Sequence, residues 1–360
     1  MHEGILRNTR TGAAILASEP YFISPEGDLL DLEFEPIFDL KAIARRKPNL
    51  WRYREAIPIA LDENIVSVNE GFTPLLPLNF LGNQVWVKQE QLFSSGSYKD
   101  RGASVLMSKV KSLGIKHVVQ DSSGNAGCAI AAYSAVAGIS CEIFVPASTS
   151  SSKIRQIQAY GAKIQLIEGS REKTAEAARA ASRSSYYASH CVNPYFFQGT
   201  KTFAYEICEQ MDWKVPETLI LPAGNGTLIL GCFIGFNDLM RAGITDRVPK
   251  IIAIQAEACS PLLHAFNQTS MPAITPTLAE GIAIEHPVRM HQILDAVHST
   301  QGFFIGVTES EIMESQRECG LHGFYIEPSA AATIAGVKRF LNGYSSASVV
   351  TLFSGHGLKK

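Results

Sequence analysis

A lysine within a run of small polar residues is the group in this chain best suited to covalent chemistry. Lys99 lies in residues 95–102, which read Ser-Gly-Ser-Tyr-Lys-Asp-Arg-Gly. A lysine amine becomes a nucleophile only after losing its proton, and burial or a neighbouring cation such as Arg101 favours that loss. The same residues also suit a solvated helix lysine among ordinary surface charges. Lys99 by itself leaves both interpretations open.

Two glycine-rich turns each follow an apolar, strand-like run and precede a helix-like run. Residues 222–227 read Pro-Ala-Gly-Asn-Gly-Thr, and residues 122–127 read Ser-Ser-Gly-Asn-Ala-Gly. Glycines let backbone N–H groups point at an anion, and the N-terminus of the following helix adds partial positive charge. We interpret the first turn as a candidate phosphate cradle. The alternative is a plain strand–helix turn in which glycine supplies a positive φ.

Two more residues in such turns could contact a ligand. Asn125 can donate and accept hydrogen bonds at once, although an asparagine there also suits a helix N-cap. Ser354 ends the last apolar run, and the carboxyl edge of a parallel sheet faces a ligand crevice. His356, two residues further on, has no carboxylate or second histidine near it in the sequence. We interpret this histidine as structural, and the sequence predicts no metal site.

The elements that must position these residues alternate along the chain. Apolar strand-like runs and amphipathic or small-residue helices predict an α/β fold with parallel sheets covered by helices. The length of 360 residues exceeds the usual limit of roughly 250–300 residues for one core, so two domains are expected. Short strands at 21–23 and 29–34 are expected in an N-terminal extension. The main predicted strands are 84–88, 117–120, 141–146, 163–167, 218–221, 250–255 and 348–353.

Composition excludes several classes of partner. The net charge is −2 and no long basic run occurs, which argues against nucleic acid and anionic membrane as partners. No apolar run reaches about 18 residues, so no spanning helix is expected. The seven cysteines are scattered without a CxxC pair. Free thiols in a reducing cytoplasm are therefore expected, and the expected partner is a small molecule.

Taken together, these segments resemble the fold-type II pyridoxal-phosphate enzymes, and most closely the threonine synthases. The lysine motif and the Gly-Asn turn are typical of the fold type, whereas Asn-Pro-Tyr and Ser-Gly-His-Gly-Leu-Lys favour threonine synthases. The matching segments occur in the order of that family. They are residues 69–75, 97–102, 123–125, 193–195, 199–202, 279–283, 327–331 and 354–359.

The resemblance implies an architecture like that of the tryptophan synthase beta subunit. Residues 1–101 and 194–360 would form the large cofactor-binding lobe, with residues 1–60 as an extension, and residues 102–193 the small lobe. The catalytic Lys99 would form the Schiff base with pyridoxal 5′-phosphate, and Asn125 would bond the 3′ oxygen of its ring. The cofactor phosphate would be held by Gly224, Asn225, Gly226 and Thr227.

Ser354 would then face the pyridine nitrogen of the cofactor. A hydroxyl does not hold that nitrogen protonated as a carboxylate would, so the sequence predicts a mild electron sink. A mild sink favours elimination and replacement over transamination.

The resemblance also implies an activity. The chain would be a homodimeric lyase of threonine biosynthesis that converts O-phospho-L-homoserine and water to L-threonine and phosphate. Phe196 stands where threonine synthases often have arginine, and residues 147–152 lack a lysine often found there. A serine/threonine dehydratase, a cysteate synthase-like enzyme and a catalytically idle cofactor-binding paralogue therefore stay open. Candidate substrate contacts are Ser97, Ser122, Ser123, Lys153, Arg155 and Lys201.

Overall fold

The computed structural model describes residues 3–149, 151–169 and 171–359, with the backbone only for residues 151–153 and 171. In chain order its strands are β1 (Ile5–Asn8), β2 (Ala14–Leu16), β3 (Leu30–Glu33), β4 (Leu75–Phe80), β5 (Asn83–Lys88), β6 (His117–Gln120), β7 (Ser140–Pro146), β8 (Lys163–Ile167), β9 (Tyr186–Tyr187), β10 (Thr218–Pro222), β11 (Lys250–Ala256), β12 (Phe303–Val307) and β13 (Val349–Leu352).

The helices begin mostly where a strand has just ended, as alternation requires. They are α1 (Leu40–Arg45), α2 (Lys99–Ser112), α3 (Asn125–Ala137), α4 (Ser151–Ala159), α5 (Arg171–Ala181), α6 (Pro194–Thr200), α7 (Thr202–Gln210), α8 (Thr227–Arg241), α9 (Pro261–Asn267), α10 (Met290–Ser299), α11 (Glu309–Leu321) and α12 (Pro328–Gly343). Among the described residues, no helix is both long enough and apolar enough to cross a bilayer.

The first of two compact units comprises residues 1–72 and 99–200. Its main sheet is parallel, with the strand order β8-β7-β6-β9. A small antiparallel sheet, β2-β1-β3, comes from the N-terminal segment. Leu6 and Leu30 of this segment are fully buried in the same core as Val118 and Ile143 of the parallel sheet. Shared apolar burial therefore makes the N-terminal segment part of this unit.

That grouping differs from the division expected from sequence, which assigned residues 1–101 to the large lobe. The expectation of a strand at residues 21–23 is wrong, because these residues do not form one. The Phe22 ring instead packs edge-on against both Tyr186 and Tyr187, with 5.6 Å between ring centroids in each pair. The segment is held by aromatic packing and not by a backbone ladder.

The second unit comprises residues 73–98 and 201–360. Its six-stranded sheet has the order β12-β11-β10-β13-β5-β4 and is parallel except for β4, which runs antiparallel to β5. Strand β10 lies inside the sheet and is buried along its whole length. The long helix α12 packs against β10, β11 and β12. The predicted α/β class with helix-covered parallel sheets is confirmed.

Glycines allow α2 and α6 of the first unit to touch along their backbones. A Cβ on Gly199 would stand 2.0 Å from the carbonyl oxygen of Arg101, and a Cβ on Gly102 would stand 2.4 Å from the ring of Phe196. Neither position has room for a side chain. Because Lys99 begins α2, this contact helps to fix where that lysine lies.

We expect Gly199→Ala to lower the free energy of unfolding by about 3 kcal/mol, because a methyl group must displace the backbone of α2. Gly320→Ala is the matched control, since a Cβ on that helical glycine of α11 would have no atom within 4 Å, and the variant should gain up to about 1 kcal/mol. Urea denaturation of both variants measures the difference. Equal stabilities would show that α2 and α6 do not approach as described.

Candidate active site

Lys99 is the first residue of α2. Its side chain is half-buried, whereas the next two residues, Asp100 and Arg101, are fully buried. A charged surface helix would expose all three residues. The solvated-lysine interpretation therefore does not describe this segment.

A buried carboxylate stabilises α2 just beyond its first turn. Glu70 is 5 % exposed, and its Oε1 accepts hydrogen bonds from Ser104 Oγ of α2 at 2.5 Å and from Trp51 Nε1 at 3.0 Å. Its Oε2 accepts from Ser67 Oγ at 3.0 Å and from the Val68 amide at 2.8 Å. Four donors satisfy the buried charge, so Glu70 ties the 66–72 loop to α2.

In the same unit, Asn125 begins α3 directly after the turn that follows β6. A Cβ on Gly127 would lie 1.8 Å from the carbonyl oxygen of Ser122, so the turn folds back tightly onto the first turn of the helix. The Ser122 hydroxyl accepts a hydrogen bond from the Gly124 amide at 3.3 Å. Ser122, Ser123 and Asn125 thus lie at the helix end where unpaired N–H groups carry partial positive charge.

In the second unit, the predicted phosphate cradle joins β10 to α8. Gly226 precedes the helix with φ +67°, a conformation that side-chain-bearing residues rarely adopt. A Cβ on Gly224 would lie 3.0 Å from the Ile282 Cα and 3.2 Å from the Gly281 carbonyl oxygen. Thr227 begins α8, and its hydroxyl lies 3.0 Å from that of Tyr98.

Ser354 follows β13 in this unit, and backbone contacts hold the segment before Lys99 beside it. The Tyr98 amide donates to the Ser354 carbonyl oxygen at 3.2 Å, and Ser97 forms a β-bridge with Gly355. The Ser97 hydroxyl is fully buried and has no hydrogen-bond partner among the described residues. A buried hydroxyl left unpaired is unfavourable, so Ser97 fits a position that a bound molecule completes.

These residues fit pyridoxal phosphate. The glycine turn before α8 offers backbone amides, a hydroxyl and a helix N-terminus, which is a suitable set of donors for a phosphate group. Lys99 is a half-buried amine at a helix start, and a lysine amine can attach an aldehyde covalently. The orphaned Ser97 hydroxyl is a further polar group for a ligand to satisfy.

The structure argues against the predicted substrate-binding role of Lys201. Its side chain is 1 % exposed and its Nζ pairs with Asp238 Oδ2 at 2.9 Å. The Tyr205 hydroxyl donates to the same oxygen at 2.5 Å. Burial lowers the pKa of Lys201, and the Asp238 carboxylate partly offsets this effect. The ammonium is therefore engaged inside the unit and helps to hold α7 against α8.

The two other predicted cations gain no support. Arg155 is exposed on α4. The side chain of Lys153, on the same helix, lies outside the described residues.

Sequence reasoning assigned no role to Glu327, although this residue lies in one of the family segments and hydrogen-bonds to Ser354. The sequence feature that could have indicated a role for Glu327 is its position directly before a proline at the start of a helix.

Comparison with known proteins identifies the family to which this chain belongs. The model of the pyridoxal-phosphate dependent enzyme family matches residues 66–355. The chain belongs to this family, whose cofactor is pyridoxal phosphate. It is similar to the threonine synthase of Methanocaldococcus jannaschii, at 34 % identity over 353 residues that cover 92 % of this chain and 87 % of that protein. The threonine synthase of Methanosarcina acetivorans is also 34 % identical, over 89 % of this chain and 82 % of that protein.

Solved structures show the fold. Maize serine racemase superposes with a TM-score of 0.68 at 22 % identity, covering 79 % of this chain and 88 % of that one. The processed form of threonine deaminase isoform 2 from Solanum lycopersicum superposes with a TM-score of 0.70 at 20 % identity, covering 89 % and 92 %. The predicted fold-type II architecture is thereby confirmed.

We expect Lys201→Met to lower the free energy of unfolding by about 3 kcal/mol, because it leaves a carboxylate buried without its ammonium. Arg241→Met is the matched control. Arg241 bonds the same Asp238 at 2.6 Å but is 66 % exposed, so its loss should cost less than about 1 kcal/mol. Denaturant titration measures the free energy of unfolding of both variants. A stable Lys201→Met enzyme with a strongly raised KM would restore the substrate role.

We expect Gly226→Ala to weaken pyridoxal phosphate binding about tenfold, which corresponds to ~1.4 kcal/mol, because the new Cβ would meet Ile293 at 2.3 Å and distort the turn. Gly243→Ala is the matched control, since Gly243 also has a positive φ, +69°, but has open space around it. Both variants should lose some stability. Cofactor titration followed by absorbance should separate them, and equal affinities would exclude the turn from phosphate binding.

Proposed function

We propose that this enzyme converts O-phospho-L-homoserine and water to L-threonine and phosphate. The observation that carries the proposal is the similarity to threonine synthases over nine-tenths of the chain, together with a half-buried lysine at a helix start and a glycine turn suited to phosphate. When bound, the cofactor supplies an electron-withdrawing ring that stabilises negative charge on the amino-acid carbons.

Lys99 has two tasks in this proposal. Its Nζ would hold the cofactor aldehyde covalently, and the same amine would carry protons to and from substrate carbon as a general base. Its position at the start of α2, fixed by the Glu70 hydrogen bonds and by the α2–α6 contact, limits its movement to that of the side chain.

The remaining cofactor contacts are those that the family resemblance implies. Asn125 would bond the 3′ oxygen of the ring, since its amide and carbonyl can serve either protonation state of that oxygen. The backbone amides from Gly224 to Thr227, with the Thr227 hydroxyl, would bind the cofactor phosphate. Ser354 would face the ring nitrogen.

We assign the anionic groups of the substrate to helix starts and hydroxyls. Ser122 and Ser123, at the N-terminus of α3, present donors for a carboxylate or a phosphate. Ser97 supplies the unpaired hydroxyl described above. This assignment needs neither Lys201, whose ammonium is already paired, nor Arg155, which is exposed.

We also propose that the enzyme is a cytoplasmic homodimer. Each of the seven cysteines, all of them among the described residues, lies outside any disulfide, as expected of a protein in a reducing compartment. Homodimers are the common state in the enzymes it resembles.

The decisive experiment measures products from four candidate substrates: O-phosphohomoserine, O-phosphoserine with sulfite, threonine and serine. We expect equal amounts of threonine and phosphate from O-phosphohomoserine alone. Deamination of threonine or serine would replace the proposal with a dehydratase, and cysteate formation with a cysteate synthase. Cofactor binding without any turnover would indicate an idle paralogue.

The matched variant is Lys99→Ala. We expect it to lose the visible absorbance of covalently bound cofactor and to lower turnover by about 10³-fold or more, because both attachment and proton transfer depend on this amine. Borohydride reduction of the wild-type enzyme followed by peptide mapping should place the pyridoxyl group on Lys99. A pyridoxyl group on another lysine would refute the assignment.

A further inference from the structure

The hydroxyl of Tyr98 lies beside the turn to which we assign the cofactor phosphate. It is 3.0 Å from the hydroxyl of Thr227, the first residue of α8. Tyr98 is 9 % exposed and Thr227 is 1 % exposed, so water competes little for this hydrogen bond. Either hydroxyl could be the donor in the geometry of the pair. The direction of the bond therefore depends on what else Thr227 binds.

The fold of the second unit brings Tyr98 to this turn. Strand β13 lies between β5 and β10 and is parallel to both, so the turns after β10 and β13 leave the same edge of the sheet side by side. The segment that ends at Tyr98 pairs with the residues after β13. The Tyr98 amide donates to the Ser354 carbonyl oxygen at 3.2 Å. The His356 amide donates to the Gly96 carbonyl oxygen at 2.9 Å. The Tyr98 side chain thus reaches the turn after β10 from a backbone that is held in place.

A bound phosphate would set the direction of the hydrogen bond between the two hydroxyls. Ionised phosphate oxygens accept hydrogen bonds, whereas a hydroxyl has one proton to give and two lone pairs with which to accept. When the Thr227 proton points at the phosphate, the Thr227 oxygen is left to accept, and the Tyr98 hydroxyl is a donor at 3.0 Å. Hydrogen bonds in such a chain polarise one another. Donation from Tyr98 therefore strengthens the bond from Thr227 to the phosphate.

We propose that Tyr98 is a positioning residue for the cofactor phosphate, because its hydroxyl donates to the Thr227 oxygen and directs the Thr227 proton to the phosphate. This inference rests on the proposed placement of that phosphate at residues 224–227. It assigns two consecutive residues of the chain to the cofactor. Lys99 would hold the aldehyde, and Tyr98 supports the phosphate through Thr227.

The test is a double-mutant cycle of Tyr98→Phe and Thr227→Val, each of which removes a hydroxyl and keeps the rest of the side chain nearly the same. Titration with pyridoxal phosphate, followed by absorbance, gives the dissociation constants. We expect Tyr98→Phe to weaken binding about fivefold, which is the effect of one neutral hydrogen bond. Thr227→Val should weaken it about tenfold or more, because it removes a bond to a charged group. The double variant should bind no more weakly than Thr227→Val, since Tyr98 acts through the threonine oxygen.

The ³¹P NMR resonance of the bound cofactor reports on the phosphate directly. We expect this resonance to move from its wild-type position in fully loaded Tyr98→Phe enzyme, because the hydrogen bond from Thr227 to the phosphate is weakened. A loss of stability elsewhere in the protein would leave the resonance in place.

Tyr205→Phe is the matched control. It removes another buried tyrosine hydroxyl of the same unit, which donates to Asp238 at 2.5 Å. Asp238 lies on α8, about 16 Å along the helix from Thr227. This variant should lose stability but keep the wild-type dissociation constant and ³¹P resonance. Melting temperatures, measured on every variant, establish that each is folded.

An unchanged dissociation constant or an unchanged ³¹P resonance in Tyr98→Phe would overturn the inference. Additive effects in the double variant would also overturn it, because Tyr98 would then act without Thr227. Unchanged binding in Thr227→Val would overturn it by excluding that hydroxyl from phosphate binding. Failure of the proposed function is separate, since it would appear as wild-type enzyme that binds the cofactor as expected and releases no phosphate from O-phosphohomoserine.

Discussion

The N–H groups at the beginning of a helix, which lack an intrahelical partner, are the feature on which the proposed functional residues depend. Lys99, Asn125 and Thr227 are each the first residue of a helix, and Glu327 is the N-cap of another. Helix starts lack intrahelical partners for their N–H groups and carry partial positive charge. A phosphorylated cofactor and an amino-acid substrate both bring anions. The helix starts at Asn125 and Thr227 therefore provide backbone N–H groups to which an anion can bind.

That arrangement agrees with how the second unit uses its buried cations. Lys88 is fully buried and pairs with Glu206 at 2.8 Å, and Lys201 pairs with Asp238 at 2.9 Å. A buried charge without a partner is very costly, so both lysines are held by the fold and cannot also neutralise a ligand without leaving a carboxylate unpaired. Neither lysine is therefore expected to bind the phosphate of a substrate.

Local features of the fold could be read from the sequence. The predicted strands 117–120 and 163–167 coincide with β6 and β8, because the apolar run and the flanking turn are both local signals. Sequence assigned no elements between residues 256 and 330, where β12 and α11 lie. It also predicted a strand at 21–23, where the Phe22 ring packs on two tyrosines. That packing partner lies far along the chain and leaves no local pattern.

Prediction of the candidate site from sequence is limited in the same way. The positions of Lys99, Asn125 and the Gly224–Thr227 turn at strand–helix junctions follow from motif and context. The contacts of Lys201 and Glu327 do not follow from the sequence, because each depends on a partner brought close by the fold. Ser354 and Glu327 are 27 residues apart in the chain, and only the pairing of their backbones makes one the acceptor of the other's proton.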